Sequence, residues 1–150
     1  MMVLSPDDYL TGPDGTYAWS EARVKAAWKR TLAEVEAALP THATLILLVG
    51  YPASGKSTWM RHRHVEGAVC VDATFVSRKR RAPFLALGVE YGKPVHAVHF
   101  TTPFAECLRR NALRTPDRSV PLRAMTRMRD AFETPFPSEG FASVTEVAPS

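Results

Sequence analysis

The sequence predicts an α/β fold in which helices cover both faces of a mainly parallel five-stranded sheet. Short apolar runs of strand length alternate along the chain with longer segments of helical periodicity, as expected for parallel strands joined by crossover helices. The 150 residues are 45% hydrophobic and 23% charged, enough for one compact core, and they contain no internal repeat. We therefore expect a single domain over residues 1–150.

The chain begins with an apolar run at residues 2–5, which leads into Pro6, Asp7 and Asp8. This pattern predicts a short strand whose end carries carboxylates. Residues 12–15, with the sequence Gly-Pro-Asp-Gly, then predict a loop, because glycine and proline interrupt regular structure.

A long helix is predicted over residues 20–39. Ser20 is a favourable N-cap, and Trp19 before it can pack against Val24. Apolar residues then recur at helical spacing until Pro40 ends the helix.

The most informative motif lies at residues 50–57, which read Gly-Tyr-Pro-Ala-Ser-Gly-Lys-Ser and form a complete phosphate-binding loop, G-x-x-x-x-G-K-[ST]. It follows an apolar run at residues 44–49 and precedes a helix predicted from Lys56 to about His64. In such a loop, backbone N–H groups surround phosphate oxygens, the lysine reaches the β- and γ-phosphates, and the hydroxyl ligates Mg²⁺. The motif predicts binding of ATP, or another nucleoside triphosphate, through Gly50, Pro52, Ala53, Ser54, Gly55, Lys56, Ser57 and Thr58.

The remaining elements continue the alternation. Residues 68–72 are an apolar strand-like run ending in Asp72, and residues 77–91 suit a helix with a basic face. Further along, the patterns predict a strand, two helices and a last strand at residues 94–100, 103–113, 121–132 and 141–147.

The formal net charge of +4 favours a polyanionic partner, although a protein that handles ATP is also expected to be basic. The basic run at residues 78–81 either contacts a nucleic-acid backbone or only solubilises its helix. Cys70 and Cys107 have no metal-ligand or disulfide spacing and are expected in the core. His96 and His99 point to opposite faces of a strand, which argues against a shared metal site.

No apolar run approaches the roughly 20 residues that span a bilayer, and the first residues lack the features of a signal peptide. We expect a cytoplasmic protein without a membrane partner.

Several short motifs beyond the phosphate loop resemble the P-loop polynucleotide kinase family, the 5′-hydroxyl kinases typified by the phage polynucleotide kinase. In chain order they are Gly55-Lys56-Ser57-Thr58-Trp59, Asp72-Ala73-Thr74, Glu90-Tyr91-Gly92-Lys93-Pro94-Val95, Arg109-Arg110-Asn111 with Arg114, Val120-Pro121, Phe132-Glu133 and Glu139-Gly140-Phe141. The resemblance covers well over half of the chain. It implies a P-loop kinase fold and a kinase that uses Mg²⁺ and ATP to phosphorylate the 5′-hydroxyl end of RNA or DNA.

One family element lies in an unusual place. Such kinases carry a further strand, ending in the aspartate that activates the acceptor hydroxyl, between the phosphate-loop helix and the Asp-x-Thr strand. Residues 58–68 are too few to supply it. Residues 5–9, followed by an Asp-Gly loop and a Trp-containing helix, resemble this element, so we expect a transposed chain order. The alternative is that residues 1–40 are an unrelated extension, which would leave only nucleotide binding.

The transposed order still allows the family's sheet order, 2-3-1-4-5. The chain would run inward from the edge strand, through helix 20–39, to the strand at 44–49, and then outward to the Asp72 strand. Each helix keeps its direction and face, so no left-handed crossover is required.

The resemblance implies a role for each candidate residue on the acceptor side. Asp7 matches the general base, with Asp8 as its nearest rival; the alternative for both is capping of a turn. Asp72 would hold the magnesium hydration shell or the acceptor, unless it only orients Thr58 or caps the next turn. Val120 matches a position near the acceptor's first base and is equally suited to a turn contact.

The family's lid places an arginine over the transferring phosphate. Arg114 fits that spacing, with Arg110 four residues earlier on the same helical face and Arg118 nearby. The alternative is a solvated basic face. Phenylalanines further along either flank the adenine or pack in the core: Phe132, Phe136 and Phe141.

Two other functions remain open at this point. Related folds phosphorylate small hydroxylated metabolites or antibiotics with the same loop, aspartate and lid, and a non-catalytic ATP-binding module is the third possibility. Any role in nucleic-acid end repair would need separate phosphatase or ligase proteins.

Overall fold

The computed structural model describes residues 1–10 and 20–149. Five strands form one sheet: β1 (Met2–Leu4), β2 (Thr44–Val49), β3 (Ala68–Asp72), β4 (Val95–Phe100) and β5 (Ser143–Val147). The helices are α1 (Glu21–Ala38), α2 (Lys56–His62), α3 (Arg78–Tyr91), α4 (Phe104–Ala112) and α5 (Leu122–Ala131). Short 3₁₀ turns lie at Pro6–Tyr9, Leu39–Thr41 and Pro137–Glu139. The loop predicted at residues 12–15 and the packing of Trp19 lie outside the described residues.

The sheet is parallel throughout and its strand order is β1-β3-β2-β4-β5. The predicted order, 2-3-1-4-5, uses the family's strand numbers, in which β1 of this chain is strand 2, β3 is strand 3 and β2 is strand 1. The two orders therefore agree, and the α/β prediction is confirmed. In parallel strands all carboxyl ends meet at one edge of the sheet. The turn after β1, the phosphate loop after β2 and Asp72 at the end of β3 therefore share that edge.

Helices cover both faces of the sheet and produce two apolar cores. One core joins side chains of α1 and α3 to β2, β3 and β4, among them Val35, Phe84 and Leu47. The other lies under α2, where Trp59 and Met60 pack against it. Right-handed crossovers require helices on both faces. The connections from β1 to β2 and from β3 to β4 cross the sheet in one direction, so α1 and α3 lie on one face. The connection from β2 to β3 crosses in the opposite direction, so α2 lies on the other face.

Local signals set the ends of the long helices, and the N-cap predicted at Ser20 is confirmed. Ser20 caps α1 by accepting a hydrogen bond from the Arg23 N–H at 3.2 Å, and Ser77 caps α3 in the same way. Gly92 ends α3 in the left-handed conformation, with φ of 65°.

Helix α4 ends at Ala112, so one detail of the prediction is wrong. Arg114 lies beyond the end of the helix, and the expectation that it shares a helical face with Arg110 does not hold.

The basic run of α3 is also different from the prediction, because Arg81 is fully buried. Its guanidinium donates to both carboxylate oxygens of Glu139, at 2.9 and 3.0 Å, and to the Phe75 carbonyl at 2.7 Å. Arg80 stacks on the Trp28 ring at 4.4 Å. Much of the run therefore holds α3 to its neighbours, and Arg81 is excluded as a contact to a nucleic-acid backbone.

Two contacts join distant parts of the chain at the amino ends of the strands. The amino terminus of Met1 lies 3.4 Å from Nε2 of His64, just after α2. The Ala43 N–H donates to the Gly67 carbonyl at 2.7 Å, so the end of the α1 segment touches the start of β3. The segment from β1 to the end of α1 thus has both of its ends beside the connection from α2 to β3.

Both cysteines are buried, as predicted, and neither forms a disulfide. Phe141 also belongs to the core, so of the two roles predicted for it, flanking the adenine or packing in the core, the second is confirmed. None of the helices within the described ranges is long and apolar enough to cross a bilayer.

Candidate active site

The phosphate loop turns tightly because two residues adopt positive φ angles, 65° at Ala53 and 108° at Gly55. Gly50 is required for a different reason. A Cβ atom there would lie 2.6 Å from Oγ of Ser54 and 3.0 Å from Cβ of Phe100. The loop therefore folds back on the carboxyl ends of β2 and β4 at van der Waals distance.

Hydrogen bonds tie this loop to the strands on both sides of β2. The Gly50 N–H donates to the Thr74 carbonyl at 3.0 Å, after the end of β3. The Thr102 hydroxyl donates to the Ser54 carbonyl at 2.8 Å, after the end of β4. The loop is thus held from both neighbouring strands.

Lys56 lies at the first position of α2 with its ammonium turned to the loop. Nζ donates to the carbonyls of Gly50 and Tyr51 at 3.0 and 2.7 Å. Burial lowers the pKa of Lys56 to about 8, and the negative charges of Asp72 and Asp7 oppose that decrease. The ammonium is therefore within electrostatic range of both candidate carboxylates.

Asp72 is half-buried at the end of β3. Burial raises the pKa of this carboxyl, Lys56 opposes the increase, and the charges of Asp7 and Asp8 add to it. Three carboxylates and one ammonium thus cluster at the carboxyl edge of β1, β3 and β2.

Asp7 lies in the 3₁₀ turn after β1. Ser5 begins this turn and accepts a hydrogen bond from the Asp7 N–H at 3.2 Å. Arg30 of α1 stacks over the Tyr9 ring at 4.6 Å and so holds the turn against the helix. The cap of this turn is the Ser5 side chain, which bonds the backbone of Asp7; the general-base role of Asp7 stays a prediction.

The donor set of this edge fits Mg²⁺. The Ser57 hydroxyl lies in the exposed first turn of α2, and Asp72 supplies a carboxylate whose raised pKa reflects burial and crowding by other negative charges. Mg²⁺ prefers hard oxygen ligands and commonly takes only one or two from protein, with phosphates and water supplying the rest. Within residues 1–10 and 20–149, no group of three or more His, Cys, Asp or Glu side chains is arranged to hold a metal.

Arg114 is exposed just beyond α4. Its positive charge lowers the pKa of Lys56 and also that of Asp72, so the guanidinium acts on the same cluster. Its role over the transferring phosphate stays a prediction.

The other predicted lid residues are arranged differently. Arg110 donates from Nε to Glu106 at 3.0 Å, and Arg109 bonds the same carboxylate, which lowers the pKa of Glu106 to about 2. Arg118 is exposed in the loop between α4 and α5, and Val120 is half-buried at the end of that loop.

An aromatic cluster beside the phosphate loop was not predicted from the sequence. Tyr51 packs against Phe104 and Phe132, with ring centroids 5.2 and 5.3 Å apart, and His99 stacks on Phe132. Burial lowers the pKa of His99. Tyr51 occupies a variable position of the motif, so only the fold brings these rings together; Phe136, in contrast, is half-exposed.

Residues 63–135 match the model of a protein family described as AAA domain. The match covers just under half of the chain and begins after the phosphate loop. No curated protein matches the chain. Together with the phosphate loop and the parallel sheet, the match supports a P-loop kinase family.

Proposed function

We propose that this protein transfers the γ-phosphate of ATP to the 5′-hydroxyl end of RNA or DNA. The observation that carries the proposal is the parallel pairing of β1 with β3, which puts the turn containing Asp7 at the same edge of the sheet as Asp72 and the phosphate loop. A phosphoryl-transfer site needs a positioned donor phosphate and a carboxylate that orients the acceptor hydroxyl. Asp7 fulfils the second need beside a phosphate loop that fulfils the first.

In the proposed reaction, Asp7 accepts a hydrogen bond from the 5′-hydroxyl and takes its proton. The acceptor oxygen bonds to the γ-phosphorus, the bond to the β–γ bridging oxygen breaks, and ADP leaves with the electron pair. Lys56 and the loop N–H groups hold the phosphates, while Arg114 stabilises charge on the equatorial oxygens. Mg²⁺ held by Ser57 and Asp72 would supply further charge neutralisation.

The pairing of β1 supports the transposed position of the base. The segment that contains Asp7 belongs to the sheet, since β1 pairs with β3 in parallel. An unrelated extension would have no reason to occupy the edge next to the Asp72 strand.

The charge around this edge supports a polyanionic acceptor. Arg118, Arg123 and Arg127 are exposed on the loop before α5 and on α5 itself, and Arg127 reaches Glu21 at the start of α1, at 3.9 Å. These side chains offer non-specific contacts to phosphates. Acceptor binding should accordingly weaken as salt increases, as it does for proteins that contact several phosphates.

Transfer of label from γ-phosphate-labelled ATP to 5′-hydroxyl RNA and DNA oligonucleotides tests the proposal. Asp7→Asn should lower kcat by about 10²- to 10⁴-fold with little change in ATP affinity, and Lys56→Met should lose ATP binding as well. Asp8→Asn is the matched control and should retain activity. Normal labelling by Asp7→Asn would show that the base is assigned wrongly.

The same assay separates the other functions. If no oligonucleotide is labelled but a small hydroxylated compound is, the protein is a small-molecule kinase. If ATP binds and no acceptor of either kind is labelled, the protein is an ATP-binding module.

A further inference from the structure

The loop between α4 and α5, residues 113–120, is folded on itself. Within it, the N–H groups of Arg118 and Ser119 both donate to the Thr115 carbonyl at 2.9 Å. At its start, the Arg114 N–H donates to the Asn111 carbonyl at 3.2 Å. The arginines of this loop therefore project from a defined backbone.

Asn111 joins the two ends of this loop through its side chain. Its Nδ2 donates to the Val120 carbonyl at 2.8 Å, and its Oδ1 accepts from the Val120 N–H at 3.0 Å. The Ser119 hydroxyl donates to the Asn111 carbonyl at 3.3 Å. Asn111 is itself buried in the last turn of α4, on the same side of the helix as the buried Cys107.

An amide is suited to this task because it presents one donor side and one acceptor side at a fixed spacing. It can therefore bond the N–H and the carbonyl of one residue at the same time, as a neighbouring strand would. A buried pair of this kind is costly to break on one side, because the remaining backbone group is left unsatisfied. The loop is thus closed before any substrate arrives.

We propose that Asn111 is a positioning residue that acts through Arg114. This inference rests on the proposed function. By closing the loop, Asn111 fixes the backbone that carries Arg114, whose N–H bonds the Asn111 carbonyl and whose charge acts on Lys56 and Asp72. Groups that act on the transition state must be placed before the reaction, and misplacement by about 1 Å can cost roughly 100-fold in rate.

Steady-state kinetics of single variants test this inference. Asn111→Ala should lower kcat by about 10- to 100-fold while KM for ATP stays within about twofold, because Arg114 serves the transition state more than nucleotide binding. Asn111→Asp keeps the bond from the Val120 N–H but sets a carboxylate oxygen against the Val120 carbonyl, so it should lose at least as much as Asn111→Ala. Ser119→Ala, which removes only the longer bond in the same loop, is the control and should retain kcat.

The combined variant distinguishes positioning from general structural damage. If Asn111 acts through Arg114, Asn111→Ala with Arg114→Ala should be no slower than Arg114→Ala alone, within about twofold. A double variant whose loss equals the product of the two single losses would overturn the inference. An unchanged kcat in Asn111→Ala would overturn it as well.

Limited trypsin digestion gives a readout that needs no acceptor. The unmodified protein should resist cleavage after Arg114 and Arg118, and Asn111→Ala should be cut there first while α1 and α3 stay intact. If the unmodified loop is cut as fast as the loop of the variant, Asn111 does not hold it and the inference fails. A protein that resists cleavage but labels no acceptor would contradict the proposed function and leave the closure of the loop by Asn111 standing.

Discussion

Lys56 carries an ammonium group that loop carbonyls enclose, and burial lowers its pKa to about 8. In the free protein, roughly half of these groups are therefore neutral at pH 8. Phosphate oxygens favour the charged form and raise the pKa. Binding of ATP should thus take up roughly half a proton at pH 8 and close to none near pH 6.5, as measured by calorimetry in buffers of different ionisation enthalpy.

Lys56→Arg is the control for this proton uptake, because arginine stays charged across the whole range. Protonation changes of ATP itself occur with both proteins, so the difference between them isolates Lys56. Equal uptake by the two proteins at pH 8 would show that the ammonium is already charged in the free protein.

The Arg81–Glu139 ion pair joins α3 to the 3₁₀ turn at Pro137–Glu139. Both side chains are almost completely buried, and Arg81 also bonds the Phe75 carbonyl. Arg81→Met leaves Glu139 as an uncompensated buried charge, so the free energy of unfolding in urea should fall by about 3–5 kcal/mol.

Arg78 on the same helix provides the comparison. Its pair with Glu133 is half-exposed and 3.8 Å long, so Arg78→Met should change stability by less than about 1 kcal/mol. Similar losses for the two variants would mean that burial does not distinguish the two pairs.

Predictability from sequence differs between these residues for a physical reason. The phosphate loop could be predicted because its chemistry depends on residues that are adjacent in the chain. Arg81 could not, because its partner Glu139 lies far away in sequence and a basic run looks the same whether it is exposed or buried. Asn111 bonds a backbone group, and such a bond has no sequence signature at all.

At the scale of elements, α3 packs unusually close to β4. A Cβ on Gly88 would lie 2.3 Å from Cγ2 of Val95 and 2.9 Å from the Lys93 carbonyl oxygen. Gly88→Ala should therefore destabilise the protein by about 1–3 kcal/mol, although a helical glycine replaced by alanine usually stabilises by about 0.5–1 kcal/mol. Urea unfolding measures the sign directly.

Val95→Ala tests the cause, since it removes the methyl group that an alanine at position 88 would meet. The losses of Gly88→Ala and Val95→Ala should then be less than additive when combined. A stabilising Gly88→Ala would show that α3 and β4 are further apart than described.

The ends of most elements could be predicted because caps and prolines act locally, as Ser20, Ser77 and Gly92 do. The strand order could be predicted from the family resemblance, because the rule on right-handed crossovers allows the transposed chain to reach the family's order whatever the side chains are. The end of α4 agrees with the prediction to within one residue, but the closure of the following loop could not be predicted, because the bonds of Asn111 to Val120 join residues nine positions apart.

In the whole molecule, both ends of the segment formed by residues 1–42 lie beside the connection from α2 to β3. The Met1 amino group is 3.4 Å from the His64 ring, and the Ala43 N–H bonds the Gly67 carbonyl at 2.7 Å. Moving residues 1–42 to a position between His64 and Val65 therefore requires two short joints and no change in sheet order. If the chain is a transposed polynucleotide kinase, as proposed, this rearrangement would restore that family's chain order.

A chain with residues in the order 43–64, 1–42 and 65–150, joined by short Gly-Ser linkers, should fold and bind ATP. Each helix keeps its direction and its face, so every crossover remains right-handed. Circular dichroism with thermal unfolding should give a cooperative transition, and excess ATP should raise its midpoint as it does in the natural order.

A control chain carries residues 1–42 between Lys93 and Pro94 instead, which is also a connection from a helix to a strand. In this control, β1 would have to reach its edge position beside β3 from the side of β2 that β4 occupies. This chain should therefore be much less stable. If the first chain fails to fold, or the control folds equally well, the amino-terminal segment is not an interchangeable part of a kinase sheet. The transposed origin of Asp7 would then be wrong, even if Asp7 itself proved to be the base.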